Sequence, residues 1–155
     1  MKAKTFSIYS FFMLFWLFSL GTLFASVVIN EISADNDSIL FDSSGDSPDW
    51  IELLNTSETT VDLTGYSLSD SREELTKWNF PAITISPNDF LLIFCSDKDT
   101  THSEIHTNFK LDKDGEFLAL VSPDSSVLDS LFFPELGSDQ AYCRFPDGDN
   151  DFVIT

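Results

Sequence analysis

Basic residues are scarce in this chain, and histidine, cysteine and glycine are few. Eight Lys and Arg stand against 26 Asp and Glu in 155 residues, a net charge of −18. Affinity for nucleic acid rests mainly on neutralising phosphates with Lys and Arg, so this balance argues against DNA, RNA and anionic lipid as partners. With six glycines there is no phosphate-cradling Gly-rich loop, and no G-x-S-x-G elbow occurs. The two histidines, His102 and His106, have no nucleophile at motif spacing, which leaves catalysis little support. Outside the N-terminal segment no stretch sustains a helical apolar period for about 10 residues.

What is there begins with a basic, then apolar, start. Lys2 and Lys4 precede an apolar run over residues 11–25, broken only by Ser19, Gly21 and Thr22, and no acidic residue appears before Glu31. That order of elements predicts a secretory signal peptide over residues 1–25, cut after Ala25 with Ser26 a close alternative. The competing reading is an uncleaved anchor recruiting residues 8–29. The strictly apolar stretch is short of the roughly 20 residues a span needs, which favours cleavage. No cysteine lies near the cut, which argues against a lipid-anchored lipoprotein. Cleavage would leave six basic residues against 26 acidic ones, a net charge of −20.

The remainder reads as strands punctuated by turns. Apolar runs rich in β-branched and aromatic residues recur over residues 27–32, 50–54, 66–68, 83–85, 90–95, 117–121 and 127–133. About seven or eight strands in about 125 residues predict a two-sheet β-sandwich. Residues 90–94 are apolar at every position and read as a central strand. Asp114-Gly115 between apolar runs reads as a hairpin turn. The chain stops at Val153-Ile154-Thr155 inside what reads as another strand, so the domain over residues 27–155 is expected to continue beyond it.

Several segments, in order, resemble one known family. Val28-Ile29-Asn30-Glu31-Ile32, Asp49-Trp50-Ile51-Glu52-Leu53 and Val61-Asp62-Leu63-Thr64-Gly65-Tyr66-Ser67-Leu68-Ser69-Asp70 are similar to the opening strands of lamin-tail domains. The likeness runs on through Trp78-Asn79-Phe80-Pro81, Phe90-Leu91-Leu92-Ile93-Phe94-Cys95-Ser96 and His106-Thr107-Asn108-Phe109-Lys110-Leu111. It closes on Gly115-Glu116-Phe117-Leu118-Ala119-Leu120 and Tyr142-Cys143-Arg144-Phe145-Pro146-Asp147-Gly148. The resemblance implies an all-β, immunoglobulin-like sandwich. Exported relatives look like accessory modules of surface proteins, hydrolases or spore-coat-type kinases. The DNA and chromatin binding of nuclear relatives does not carry over to so acidic a chain.

Four constellations deserve weighing. His102 and His106 flank Glu104, but zinc needs three or four ligands, and ordinary loop or strand histidines are the plainer reading. Calcium is the better metal hypothesis, with Asp147, Asp149 and Asp151 as the leading ligand set and Asp35-Asn36-Asp37 and Asp42, Asp46 and Asp49 behind it. Solvated turns explain these clusters equally simply. Glu31, Asp49 and Glu52 include carboxylates that a glycosidase would need, though on sandwich strands a structural role is the ordinary one. Trp50, Trp78, Phe132, Phe133 and Tyr142 read as core before they read as an exposed platform.

Two structural pairings are expected. Arg144 should form an ion pair with a carboxylate of the second strand, Glu52 first and Asp49 second, because Glu52 needs a partner if its Trp50 face is buried. Cys95 and Cys143 stand where the family pattern places small residues. Export and an even cysteine count favour a disulfide between them, against Cys95 as a buried small hydrophobe. The functional expectation is a non-catalytic binding or architectural module of a secreted, periplasmic or cell-surface protein. Its partners would be protein, glycan or matrix, with membrane contact only if the N-terminal segment stays uncleaved. The alternative is the targeting portion of an extracellular hydrolase or kinase-like enzyme whose catalytic domain lies past Thr155.

Overall fold

The computed structural model describes residues 26–155. The expected signal peptide lies outside the described residues. Eleven strands run in the order β1 (Val27–Ser33), β2 (Asp49–Asn55), β3 (Val61–Asp62), β4 (Ser67–Ser69), β5 (Trp78–Asn79), β6 (Thr84–Ile85), β7 (Phe90–Cys95), β8 (Phe117–Val121), β9 (Val127–Phe132), β10 (Tyr142–Arg144) and β11 (Phe152–Ile154). They form a five-stranded sheet, β11-β10-β1-β2-β7, a four-stranded sheet, β5-β4-β8-β9, and a short β3-β6 ribbon. Every strand pair is antiparallel, so the architecture is the immunoglobulin-like sandwich that the strand pattern predicts.

The core lies between the sheets. Ile29, Ile32, Ile51, Leu53 and Ile93 meet Leu68, Leu118 and Leu120 from the opposite sheet, all fully buried. Each such side chain contributes roughly 1.5–3 kcal/mol of apolar burial. Each outer face is covered in part. Leu40, in the loop between β1 and β2, packs on Trp50, Phe94 and Ala141. Asn36 shapes that loop, donating from Nδ2 to the carbonyls of Leu40 and Pro48 at 2.7 and 2.8 Å. Over the four-stranded sheet, Ser69 donates to the Glu74 carbonyl at 2.7 Å, and Arg72 lies on the rings of Phe117 and Phe132 at 4.9 and 4.7 Å.

Two expectations need correcting. The 90–95 strand is β7, an edge strand and not a central one: among the described residues its outer side meets only the 105–107 segment near Phe94, while Phe90 and Leu92 are exposed. Asp114-Gly115 does not join paired strands. It turns the crossover from β7 in one sheet to β8 in the other, and the β8–β9 hairpin is made instead by residues 122–126, where Ser125 takes φ +67°.

Candidate binding surface

A β-bulge sets the site. β1 and β2 pair Ile29 with Leu53 and then Glu31 with Glu52, leaving Asn30 as an extra residue. The bulge lets Ile29 and Ile32 both face the core while Glu31 turns outward beside Glu52. Asn30 is buried and divides its amide group between neighbours. Its Nδ2 donates to Glu52 Oε1 at 3.1 Å and to Asp147 Oδ1 at 3.3 Å, and its Oδ1 accepts from the Gly148 amide at 3.0 Å. Three carboxylates, Glu31, Glu52 and Asp147, therefore share one patch on the outer face of the five-stranded sheet. Burial, then the charges of Glu52 and Asp147, raises the pKa of Glu31. Burial and Asp147 likewise raise that of Glu52, against the lowering effect of the Asn30 hydrogen bond. No lysine, arginine or histidine forms an ion pair with any of the three among the described residues.

Arg144 does not reach Glu52 or Asp49. Its Nη2 meets Asp129 on β9 at 2.9 and 3.1 Å, with both side chains largely buried. The register explains the correction. Glu31 is the cross-strand partner of both Cys143 and Glu52, so these three point outward, and Arg144, one residue on from Cys143, points inward. There it serves the stretch of β1 beyond the β10 pairing. Arg144 Nε donates to the Ile29 carbonyl at 2.9 Å, and the Ile29 amide donates to Asp129 Oδ2 at 2.8 Å. The ion pair thus satisfies both backbone groups of Ile29 and ties the two sheets together.

The same face logic removes the disulfide. Cys95 pairs with Asp49 on the core face and Cys143 with Glu31 on the outer face, with β2 and β1 lying between β7 and β10. Three strand spacings of about 4.8 Å separate them, far beyond the roughly 7 Å Cα limit of a bridge. Both cysteines are free and buried. Burial pushes the Cys95 thiol well above its ordinary pKa.

Asp147, Asp149 and Asp151 do not converge either. All three are exposed, and no group of three or more acidic, His or Cys side chains is arranged to hold a metal among the described residues. The cation inside this loop is Arg144 itself, whose Nη1 donates to the Asp149 carbonyl. The loop closes on backbone bonds, Phe145 amide to Asp151 carbonyl at 2.9 Å and Asp149 amide to Pro146 carbonyl at 3.0 Å. The other acidic clusters are likewise consumed by turns: Asp42 and Asp46 clasp Lys98.

The remaining candidates are dispersed. His106 is buried, stacked on Phe94 at 5.2 Å, and joined through Nδ1 to the Ser96 hydroxyl at 2.9 Å; His102 is exposed. Asp49 lies apart from Glu31 and Glu52, hydrogen-bonded to backbone at Leu111 and Asn36. It borders a cavity of about 290 Å³ between Lys98, Lys110 and Cys95. Trp50, Trp78 and Phe133 are buried, Tyr142 stacks on Phe152 at 4.7 Å, and Phe132 alone of the five is exposed, so they form no platform. Sequence reasoning missed Asn30 and Asp129. Asp129 was detectable: it shares the inward period of Leu131, where a carboxylate requires a cation.

A family model described as Lamin Tail Domain matches residues 23–134, well over half of the chain. The chain belongs to the lamin-tail domain family. No curated protein matches it. The matched span ends before β10 and β11, yet these strands complete the five-stranded sheet beside β1, so the lamin-tail sandwich extends here to Ile154.

Proposed function

We propose that this lamin-tail domain acts as a non-catalytic binding or architectural module of a secreted or cell-surface protein, contacting protein, glycan or matrix. The observation that carries the reading is where the polar chemistry goes. Arg144, Asp129, His106 and Asn30 spend their hydrogen bonds on the fold's own backbone, ring stacks and loops. The exposed surface is rich in carboxylates, interspersed with isolated apolar side chains and a few cations, Arg72, Lys98, Lys110 and Lys113. Export is supported by the basic-apolar N-terminal segment, and a partner other than nucleic acid by the charge of −18. Mass spectrometry of the protein from its native host tests the export half, with an N-terminus at Ser26 or Val27 expected. An intact Met1 in a soluble cytoplasmic product would contradict it. Specific DNA binding at physiological salt would contradict the partner class.

A further inference from the structure

The sheet edge at β7 is open along half its length. Phe94 uses its outward N–H and C=O on Ile105 and Thr107, at 2.8 and 2.9 Å. Antiparallel pairing alternates, so Leu92 and Phe90 also turn their backbone groups away from β2. The Phe90 amide is taken by the Asp89 carboxylate at 2.9 Å, but the Leu92 N–H and C=O have no partner among the described residues. An unpaired edge is a template for another strand. Here it is flanked by two large apolar side chains, Phe90 at 42% and Leu92 at 37% exposure, which natural edges ordinarily avoid.

The next residues inward say what would fit. Leu92 stands opposite Glu52, and Glu52 opposite Glu31, so one row of the outer face runs from an exposed leucine into two carboxylates without an ion pair among the described residues, with Asp147 beside them. A side chain placed beside Leu92 by an added strand shares this face. A lysine or arginine there would lay its aliphatic stem over Leu92 and carry its charge toward Glu52. We propose that the open edge of β7 receives an extended segment of a protein partner, paired through Leu92, with basic side chains on its outward positions that lay their stems over Leu92 and neutralise Glu52 and Glu31. This deepens the binding-module reading and rests on it. A second copy of the chain is the poorer occupant, since it brings the same strong negative charge to the contact.

The test uses the full chain and an eight-residue peptide of alternating lysine and valine as the probe. Amide exchange at Leu92, followed by NMR, is expected to slow by about tenfold or more at saturation, as a new ladder hydrogen bond requires. The joint Glu31→Gln and Glu52→Gln variant should bind about tenfold more weakly, and added salt should weaken the native protein's binding. N-methylation of alternate probe amides should abolish the protection without altering the protein. Equal binding of a glutamate–valine peptide would overturn the proposal. So would Leu92 protection without peptide in a sedimenting dimer, which would name a second copy as occupant. Protection on a different surface would overturn this site while leaving the binding-module reading intact.

Discussion

The guanidinium of Arg144 neutralises Asp129, donates to the Ile29 carbonyl and fills the 145–151 loop through the Asp149 carbonyl. Removing one side of a buried pair leaves the other charge without compensation, at a cost of about 3–5 kcal/mol. Arg144→Ala and Asp129→Asn should each lower the urea midpoint accordingly, and a double-mutant cycle should show strong coupling between them. Glu52→Gln should add independently to Arg144→Ala; strong coupling there would restore the Glu52 partnership that the register excludes. That partnership was the sequence's best guess because both residues needed a partner. What sequence could not show is that β10 enters the sheet with Cys143, not Arg144, on the Glu52 face. The cysteines fail for the same reason, and reduction should leave the Tm unchanged. Two thiols should titrate in denaturant, Cys95 staying inert in the native protein.

At the scale of elements, the longer strands were legible, whereas the short strands β3, β5 and β10, which raise the number from the expected seven or eight to eleven, and the strand neighbours were not. All seven apolar runs became strands, because alternation and turn residues are local signals. β7 was misplaced because apolar residues on both faces ordinarily mark a central strand. Here Phe94 is buried by a loop and Phe90 and Leu92 are left exposed. Asp114-Gly115 was misread for a complementary reason: its glycine is required by packing rather than by a hairpin. Gly115 holds φ +96°, and a Cβ built there would lie 2.6 Å from the Phe133 carbonyl oxygen. Gly115→Ala should therefore cost at least about 1–3 kcal/mol by thermal unfolding. Gly45→Ala, where an added Cβ meets nothing within 4 Å, should cost less despite φ +83°. Equal losses would show that backbone conformation alone sets the cost.

Across the whole molecule the excess of carboxylates makes stability depend on pH. Burial lifts Glu116 from 4.5 to about 7, and Glu31, Asp49 and Glu52 are raised as well, burial first in each case. Such groups bind protons more tightly folded than unfolded, so stability falls as pH rises from about 4.5 to about 7. Asp42, Asp62, Asp124 and Asp139 are shifted down by their hydrogen bonds, and they oppose this only below their ordinary value of 3.8. The Tm should thus be higher near pH 5 than at pH 8. Glu116→Gln should flatten that slope and add about 1 kcal/mol at pH 8, discounted for its partial exposure. A calorimetric Tm that rises through this window would contradict the assignment.

Arg144 and Asp129 lock the two sheets together where they cross between them, which should make the sandwich one cooperative unit. Native-state hydrogen exchange in mild denaturant tests it most directly, comparing Ile51 and Ile93 in the five-stranded sheet with Leu68 and Leu120 in the four-stranded sheet. One shared opening free energy is expected for all four amides, falling together in Arg144→Ala. Two distinct free energies in the native protein, with one sheet opening while the other stays protected, would contradict it.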